Sequence, residues 1–137
     1  MDNKTKLKLF AEALKARDNS YSPYSGFAVG AALLARDGKV YRGCNIENSS
    51  YGATICAERS AVCAAVSAGC TKGDFKAIAI AGGPKDGKTI PCPPCGICRQ
   101  VLSEFADPET FSVVLESESG ELAEVLLSEL LPHVFSL

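Results

Sequence analysis

The sequence of 137 residues predicts a single α/β domain, in which helices cover both faces of a mixed sheet of about five strands and so form three layers. Two observations lead to this prediction. Apolar segments of strand length alternate along the chain with segments that repeat apolar residues at helical spacing. Glycine, proline, asparagine and serine cluster between these segments. A length of 137 residues suffices for one continuous core, so we assign residues 1–137 to one domain.

The first half of the chain predicts a helix, a β-hairpin and a second helix. Apolar residues at helical spacing open the chain, with lysines between them. Phe27–Ala35 is nearly continuous in apolar residues, as is typical of a strand covered on both faces. Asp37-Gly38 is a hairpin turn signal, so Val40–Ile46 is predicted as the returning strand. An alanine-rich helix then starts at about Thr54 and is expected to stop at Gly69.

The second half continues the alternation of strands and helices. Lys76–Ala81 predicts a short buried strand, followed by a glycine- and proline-rich loop over Gly82–Pro94. A helix is predicted over Gly96–Phe105, and it is expected to end before Pro108. Phe111–Leu115 predicts another strand, and Ser128–Leu131 a short final helix.

Composition and charge exclude several classes of partner. Hydrophobic residues make up 47% and charged residues 22% of the chain, as in a globular protein. The formal net charge is −2, and no run of lysine or arginine is long enough to follow a phosphate backbone, so we expect no nucleic-acid partner. No apolar stretch reaches membrane-spanning length, and Met1–Lys8 has no features of a signal peptide. We therefore expect a cytoplasmic protein that does not bind membranes.

Seven cysteines, an odd number, are not expected to form disulfides in a reducing compartment. Cys56 lies in the predicted first turn of the alanine-rich helix, whereas Cys92, Cys95 and Cys98 lie where a proline loop turns into a helix. Two residues between cysteines let two thiolates converge on one ion, and either adjacent pair fits this spacing. We favour Cys95 with Cys98, because the helix predicted from Gly96 places both near its N-terminus, where thiolates are stabilised.

Cys56, Cys95 and Cys98 therefore predict a zinc site, with one ion per chain. Three protein ligands leave a tetrahedral zinc one open position, which marks a catalytic site. Glu58 is placed to exchange protons with a water molecule there. Arg59, three residues after Cys56, is placed to hydrogen-bond a ligand thiolate and offset the negative charge of three thiolates on one zinc.

Several alternatives remain open on spacing alone. Arg99, beside Cys98, is a second candidate for offsetting the thiolate charge. Cys44 is not excluded as a further ligand, and a fourth ligand would indicate a structural zinc module. A dithiol oxidoreductase would bind no zinc and would use Cys92 and Cys95.

Six stretches of the chain together form a specific pattern. They are Tyr24-Ser25-Gly26-Phe27-Ala28-Val29-Gly30-Ala31-Ala32-Leu33, Gly43-Cys44-Asn45-Ile46-Glu47-Asn48, Cys56-Ala57-Glu58-Arg59, Pro94-Cys95-Gly96-Ile97-Cys98-Arg99-Gln100, Glu129-Leu130-Leu131-Pro132 and Phe135. With these stretches the sequence resembles, over nearly its whole length, the small tetrameric cytidine deaminases of pyrimidine salvage. These belong to the zinc deaminases, which have a His- or Cys-Xaa-Glu segment followed by Pro-Cys-Xaa-Xaa-Cys.

This resemblance implies hydrolytic deamination of cytidine and deoxycytidine, in which zinc-bound hydroxide attacks and Glu58 carries protons. It implies substrate-binding roles for Phe27, Asn45, Glu47, Ala57 and Phe135. It also implies a homotetramer in which Phe135 reaches a neighbouring subunit's site. The nearest rival within the class is a base or modified-nucleoside deaminase, such as one acting on blasticidin S. Asn45 and Glu47, in the segment expected to bind ribose, argue against that rival.

Overall fold

The computed structural model describes all residues, 1–137, as one five-stranded sheet with four α-helices. A single 3₁₀ turn lies between the second strand and the second helix. In chain order the elements are α1 (Asn3–Arg17), β1 (Phe27–Ala35), β2 (Val40–Cys44), the 3₁₀ turn (Tyr51–Ala53), α2 (Ala57–Ser67), β3 (Phe75–Pro84), α3 (Gly96–Phe105), β4 (Ser112–Glu116), β5 (Leu122–Leu126) and α4 (Leu127–Leu130).

The strands lie in the order β2-β1-β3-β4-β5. Only β3 and β4 are parallel, and they are joined through α3. The other neighbouring strands are antiparallel. The mixed five-stranded sheet predicted from the sequence is therefore confirmed.

Alternating side chains along the strands create two different cores. On one face, large residues such as Ile78 and Ile80 pack with residues of α2, α3 and α4. On the other face, the intervening positions of β3 are Ala77, Ala79 and Ala81, and they pack with residues of α1. Because side chains alternate with a period of two, one strand presents bulky residues to three helices and small residues to a single helix. This gives the three predicted layers.

The structure corrects several predicted boundaries. Leu122–Leu126 forms the edge strand β5, which the sequence patterns do not predict as a strand. Glu124 interrupts the apolar residues of this segment, which therefore shows neither a continuous apolar run nor a strict alternation of apolar and polar residues. All five residues are only partly buried. The alanine-rich helix starts at Ala57, three residues later than expected. The third strand extends over Phe75–Pro84 and includes Gly82, for which the sequence predicts a loop.

The ends of the strands determine where the two central helices begin. Both β2 and β3 run antiparallel to β1, so they point in the same direction and end at the same edge of the sheet. The helices α2 and α3 follow these strands and therefore start at that edge. Gly43 allows α2 to lie directly on β2, because a Cβ atom there would overlap the backbone of Ala57 and Ala61. None of the four helices combines the length and the apolar character that a membrane span requires.

Candidate active site

Three cysteine sulfur atoms meet where α2 and α3 begin. The Sγ atoms of Cys56, Cys95 and Cys98 all lie within 4.8 Å of one another. Cys56 and Cys95 are the N-cap residues of α2 and α3, each with an extended backbone, and Cys98 lies in the first turn of α3. Cys56, predicted inside the first turn of its helix, thus lies one residue before the helix. Cys44 and Cys92 are not members of the group.

The N-cap positions explain why these thiols suit a metal. The first backbone N–H groups of a helix lack partners within the helix and carry partial positive charge, which favours a thiolate beside them. Neither Cys56 nor Cys95 makes a side-chain cap hydrogen bond, so both sulfur atoms remain available. Hydrogen bonding from Cys98 lowers the pKa of Cys56 to about 5, and hydrogen bonding to Cys56 together with burial raises the pKa of Cys98.

The spacing of the sulfur atoms fits a tetrahedral zinc ion. Zinc–sulfur bonds of about 2.3 Å in tetrahedral geometry separate two sulfur ligands by about 3.8 Å. Cys56 Sγ and Cys95 Sγ lie 3.8 Å apart. The group contains three ligand residues and no fourth, as expected of a catalytic rather than a closed structural site.

Glu58 faces the sulfur group from the first turn of α2. Its side chain is buried, with 4% of the residue exposed, so it is not the exposed carboxylate that first-turn glutamates often are. Glu58 Oε2 lies 3.6 Å from Cys98 Sγ. Burial raises the pKa of Glu58 above its usual value. A buried carboxyl with a raised pKa is suited to exchanging protons with a reacting group.

The two arginines near the cysteines have different partners. Arg59 Nη2 donates to Cys56 Sγ at 3.4 Å, and this contact raises the pKa of Arg59. Arg59 Nε is buried without a hydrogen-bond partner. Arg99 is the second candidate for contacting a thiolate, but its hydrogen bonds go to the carbonyl oxygens of Pro94 and Leu130. Of the two, only Arg59 donates to a sulfur atom.

A cavity of about 190 Å³ opens beside Glu58 and the sulfur atoms. It is lined by Val29, Asn45, Thr54, Ile55, Cys56, Ala57, Glu58, Cys92, Pro93 and Cys95. Asn45 Oδ1 accepts from Val29 N at 2.9 Å and also from Ser20 Oγ. Asn45 Nδ2 donates to Phe27 O at 2.8 Å, which leaves one amide hydrogen for a ligand.

A second cavity of about 410 Å³ shares Thr54 with the first. Glu47 lines it, together with Tyr24 and Tyr51. Glu47 Oε1 accepts from the backbone N–H groups of Tyr24 at 2.9 Å and Ser25 at 3.1 Å, and hydrogen bonding from Ser25 lowers the pKa of Glu47. Asn45 and Glu47 thus lie in adjoining cavities rather than in one.

The side chains of Phe27 and Cys92 both lie close to the Cα atom of Gly82. A Cβ atom at Gly82 would lie 2.5 Å from Cys92 Sγ and 3.3 Å from the ring of Phe27, so the missing side chain makes room for both. Phe27 is half-buried and is not among the residues that line the cavity of Glu58. Burial raises the pKa of Cys92 to about 11, which disfavours the reactive thiolate that a dithiol oxidoreductase needs.

The C-terminal residues lie apart from the chain's own cavity. Phe135 is 68% exposed, and its carbonyl oxygen accepts from Gln100 Nε2 at 3.0 Å. His133 is exposed and does not belong to the group of potential metal ligands.

Thr54 is one of the lining residues to which the sequence patterns assign no role. It borders both cavities, and its hydroxyl oxygen accepts from Asn48 N at 3.2 Å. The sequence feature that could have indicated Thr54 is its position two residues before the predicted zinc ligand Cys56, which places it near the site. The alanine-rich pattern instead predicts that the helix starts there.

The sequence and the structure are both similar to those of known proteins. Residues 3–114 match the family described as "Cytidine and deoxycytidylate deaminase zinc-binding region". A protein named cytidine deaminase from Sporosarcina psychrophila is 49% identical over 129 residues, which are 94% of this chain and 90% of that protein. A crystal structure of cytidine deaminase from Burkholderia pseudomallei is 45% identical, with a TM-score of 0.84 over 98% of this chain and all of that one.

A more distant relative bears on the rival substrate class. A protein named blasticidin-S deaminase from Bacillus cereus is 34% identical over 108 residues, which are 76% of this chain and 74% of that protein. The family match covers more than half of the chain and includes all three cysteines of the metal group. Zinc is therefore the cofactor, and the chain belongs to the cytidine and deoxycytidylate deaminase family.

Proposed function

We propose that this enzyme hydrolyses cytidine and deoxycytidine to uridine and deoxyuridine with release of ammonia. The observation that carries the proposal is the buried Glu58 carboxyl, whose Oε2 atom lies 3.6 Å from Cys98 Sγ in a group of three potential zinc ligands. The similarity to cytidine deaminases over nearly the whole chain supports the same substrate class.

Cys56, Cys95 and Cys98 would hold the zinc. When bound, the ion supplies Lewis acidity that makes a water molecule a better nucleophile at neutral pH. Glu58 takes a proton from the attacking water and gives it to ring atom N3 of the base, while the water oxygen bonds to C4. Glu58 then carries the proton of the new C4 hydroxyl to the amino group, so that the C4–N bond breaks, ammonia leaves and a carbonyl group forms at C4. The raised pKa of Glu58 suits both directions of transfer.

Arg59 reduces the negative charge of the ligand set. Zinc with three thiolates carries a net charge of −1, which opposes the removal of a proton from water. The hydrogen bond from Arg59 Nη2 to Cys56 Sγ draws electron density from that sulfur and brings a positive charge beside it.

Asn45 and Glu47 are proposed to bind the ribose hydroxyls. The remaining amide hydrogen of Asn45 can donate to a hydroxyl, and the carboxylate of Glu47, which offers several acceptor positions, can accept from one. The lowered pKa of Glu47 keeps it ionised and strengthens that acceptance. Ala57 lines the cavity of Glu58, and the half-buried ring of Phe27 lies beside Gly82, as does the lining residue Cys92. Ala57 and Phe27 are each proposed to contact the nucleoside.

We further propose a homotetramer with shared active sites. Phe135, 68% exposed, is a large apolar side chain without cover from its own chain, as expected if a neighbouring subunit receives it. Tyr51 at 81% and Ile97 at 63% exposure, close in sequence to Cys56 and Cys98, are further apolar candidates for such an interface. We place the enzyme in the cytoplasm, since free thiols suit a reducing compartment. The similarity to cytidine deaminases supports a role in pyrimidine salvage.

The first experiment measures ammonia release from cytidine by the purified protein, with zinc determined on the same sample. Turnover with about one zinc per chain is expected. Cytosine and blasticidin S, assayed in parallel, test the substrate class, and faster turnover of either would overturn the proposed substrate. Zinc without turnover of any of the three would overturn the proposed reaction.

A mixing experiment tests the shared site. Sedimentation should first show a species four times the chain mass. A Glu58→Gln chain and a Phe135→Ala chain should each be impaired alone. Co-refolded, they should regain activity, because the first chain supplies Phe135 to a site in which the second supplies Glu58. A mixture of Phe135→Ala with the double variant Glu58→Gln/Phe135→Ala is the control, and equal activity in both mixtures would contradict a shared site.

A further inference from the structure

Arg99 joins two segments that are distant in sequence. Its Nε donates to the carbonyl oxygen of Pro94 at 2.7 Å, and its Nη1 donates to that of Leu130 at 2.6 Å. The side chain is half-buried, and it does not line the cavity of Glu58. Arg99 therefore acts through the backbone groups that it holds.

One of the two carbonyl groups lies directly before a zinc ligand, and the other lies at the end of a helix. The Pro94 carbonyl belongs to the peptide bond that leads into Cys95, so holding it restrains the approach of one zinc ligand to the other two. Leu130 ends α4, and the last carbonyl groups of a helix lack partners within the helix. The planar guanidinium offers donors in a fixed fork, which lets one side chain satisfy both oxygen atoms.

Gln100, the residue after Arg99, also contacts the C-terminal segment. Gln100 Nε2 donates to the carbonyl oxygen of Phe135 at 3.0 Å. The first turns of α3 thus supply a zinc ligand, Cys98, and two successive side chains that hold the C-terminal segment. These hydrogen bonds link the segment 94–98 and the start of α3 to Leu130 and Phe135 of the C-terminal segment.

We propose that Arg99 is a positioning residue that couples the zinc-ligand segment 94–98 to the C-terminal segment 127–135. Metal retention and order of the C-terminal segment then depend on each other, because coupling between two sites is reciprocal. The inference rests on the proposed zinc deaminase function only through the metal site. It assigns Arg99 no contact with substrate.

The test compares Arg99→Ala and Arg99→Lys with Arg36→Ala in the full-length zinc-loaded protein. Arg36 is a matched control, since its Nε also donates to a backbone carbonyl, that of Gly73 at 2.8 Å, outside the zinc site. Zinc release to a chromogenic chelator should accelerate about 10–100-fold in both Arg99 variants, as is typical when a group supporting a metal ligand is removed. It should change by no more than about twofold in Arg36→Ala.

Amide hydrogen exchange tests whether zinc binding and the order of the C-terminal segment are coupled. A residue that only stabilises the fold would not change the effect of zinc on this exchange. In the wild type, zinc loading should slow exchange of the amides in 127–131. In Arg99→Lys, which keeps the charge but lacks the fork, zinc loading should leave these amides unchanged. Zinc release as slow as in Arg36→Ala, or zinc-dependent protection that persists in Arg99→Lys, would overturn the proposal. If Arg99→Ala does not fold, the Arg99→Lys measurements decide. Neither readout needs turnover, so a zinc-loaded but inactive wild type would sink the proposed reaction and leave this test intact.

Discussion

The Sγ atoms of Cys56 and Cys95 lie 3.8 Å apart although 39 residues separate them, and each belongs to the N-cap residue of a helix. The two helices follow β2 and β3, which point in the same direction and end at one edge of the sheet. The topology thus brings two helix N-termini together, and the positive ends of both helix dipoles stabilise the anionic ligands between them. Ligand sites at the carboxyl ends of strands are a general feature of α/β sheets.

Removal of one sulfur atom from this group should abolish zinc retention. Cys98→Ala leaves two of the three ligands, and the purified protein should contain far less than about one zinc per chain. Loss of a metal present at a thousand times its dissociation constant should lower the free energy of unfolding by about 4 kcal/mol. Metal analysis and thermal unfolding measure both effects.

Cys63→Ala is the matched control for Cys98→Ala, because Cys63 is an exposed cysteine of α2 outside the sulfur group. It should keep its zinc and its unfolding temperature. Equal zinc loss in the two variants would contradict the assignment of Cys98 as a ligand.

Glu58→Gln should separate metal binding from turnover. Glutamine retains the size of the buried side chain but cannot exchange a proton, so kcat should fall by about 10²–10⁴-fold while zinc content stays at the wild-type level. Burial already disfavours the charged form of Glu58, so the neutral amide should not lower the unfolding temperature. Glu104→Gln, at an exposed position of α3, should leave kcat unchanged. An active Glu58→Gln enzyme would remove Glu58 from the mechanism.

Gly82→Ala should disturb the wall of the site through Cys92. The new Cβ atom would lie 2.5 Å from Cys92 Sγ and 2.9 Å from Cys92 Cβ, and such overpacking should cost about 1–3 kcal/mol of stability. Urea unfolding measures the loss, and the distortion should also raise KM for cytidine. Gly52→Ala, where nothing lies within 4 Å of the added atom, should change stability by less than about 0.5 kcal/mol.

A second substitution shows whether Cys92 is the cause. Cys92→Gly removes both clashing atoms, so Gly82→Ala/Cys92→Gly should be more stable than the sum of the two single losses predicts. A coupling energy of about 0.5–3 kcal/mol is expected for residues in contact. Strict additivity would show that Gly82 is needed for another reason, such as its pairing with Ile90.

Glu124→Gln should make stability less sensitive to acid. Hydrogen bonding from Ser112, whose Oγ donates to Glu124 Oε1 at 2.6 Å, lowers the pKa of Glu124 in the folded protein. A lowered folded-state pKa contributes stability above the unfolded value of 4.5, and this contribution is lost as pH falls through the folded pKa. Wild type should therefore be more stable than Glu124→Gln at pH 7, and the difference should narrow below about pH 4.5. Urea unfolding across this range measures it, and a constant difference would contradict the assignment.

Local patterns in the sequence are sufficient for most of the fold. Phe27–Ala35 and Gly96–Phe105 are predicted with the boundaries that the structure has, because a buried apolar run and a proline-bounded helix are properties of neighbouring residues. The Cys-Xaa-Xaa-Cys spacing likewise indicates a metal pair from neighbouring residues alone, although it fits Cys92 with Cys95 as well as Cys95 with Cys98. The edge strand β5 escapes prediction because it has neither an apolar run nor a strict alternation, and its pairing with β4 identifies it.

The sequence by itself thus determined the α/β class, the zinc-ligand motif and the carboxylate beside it. Only the tertiary structure decided that Cys92 stays outside the sulfur group and that Arg99 binds carbonyl oxygens rather than a thiolate. It also decided that Asn45 and Glu47 border adjoining cavities that share Thr54. The physical reason is the same in each case. Spacing along the chain limits which side chains can share a helix face, whereas partners from other elements are selected by how the strands order and direct the helices that carry them.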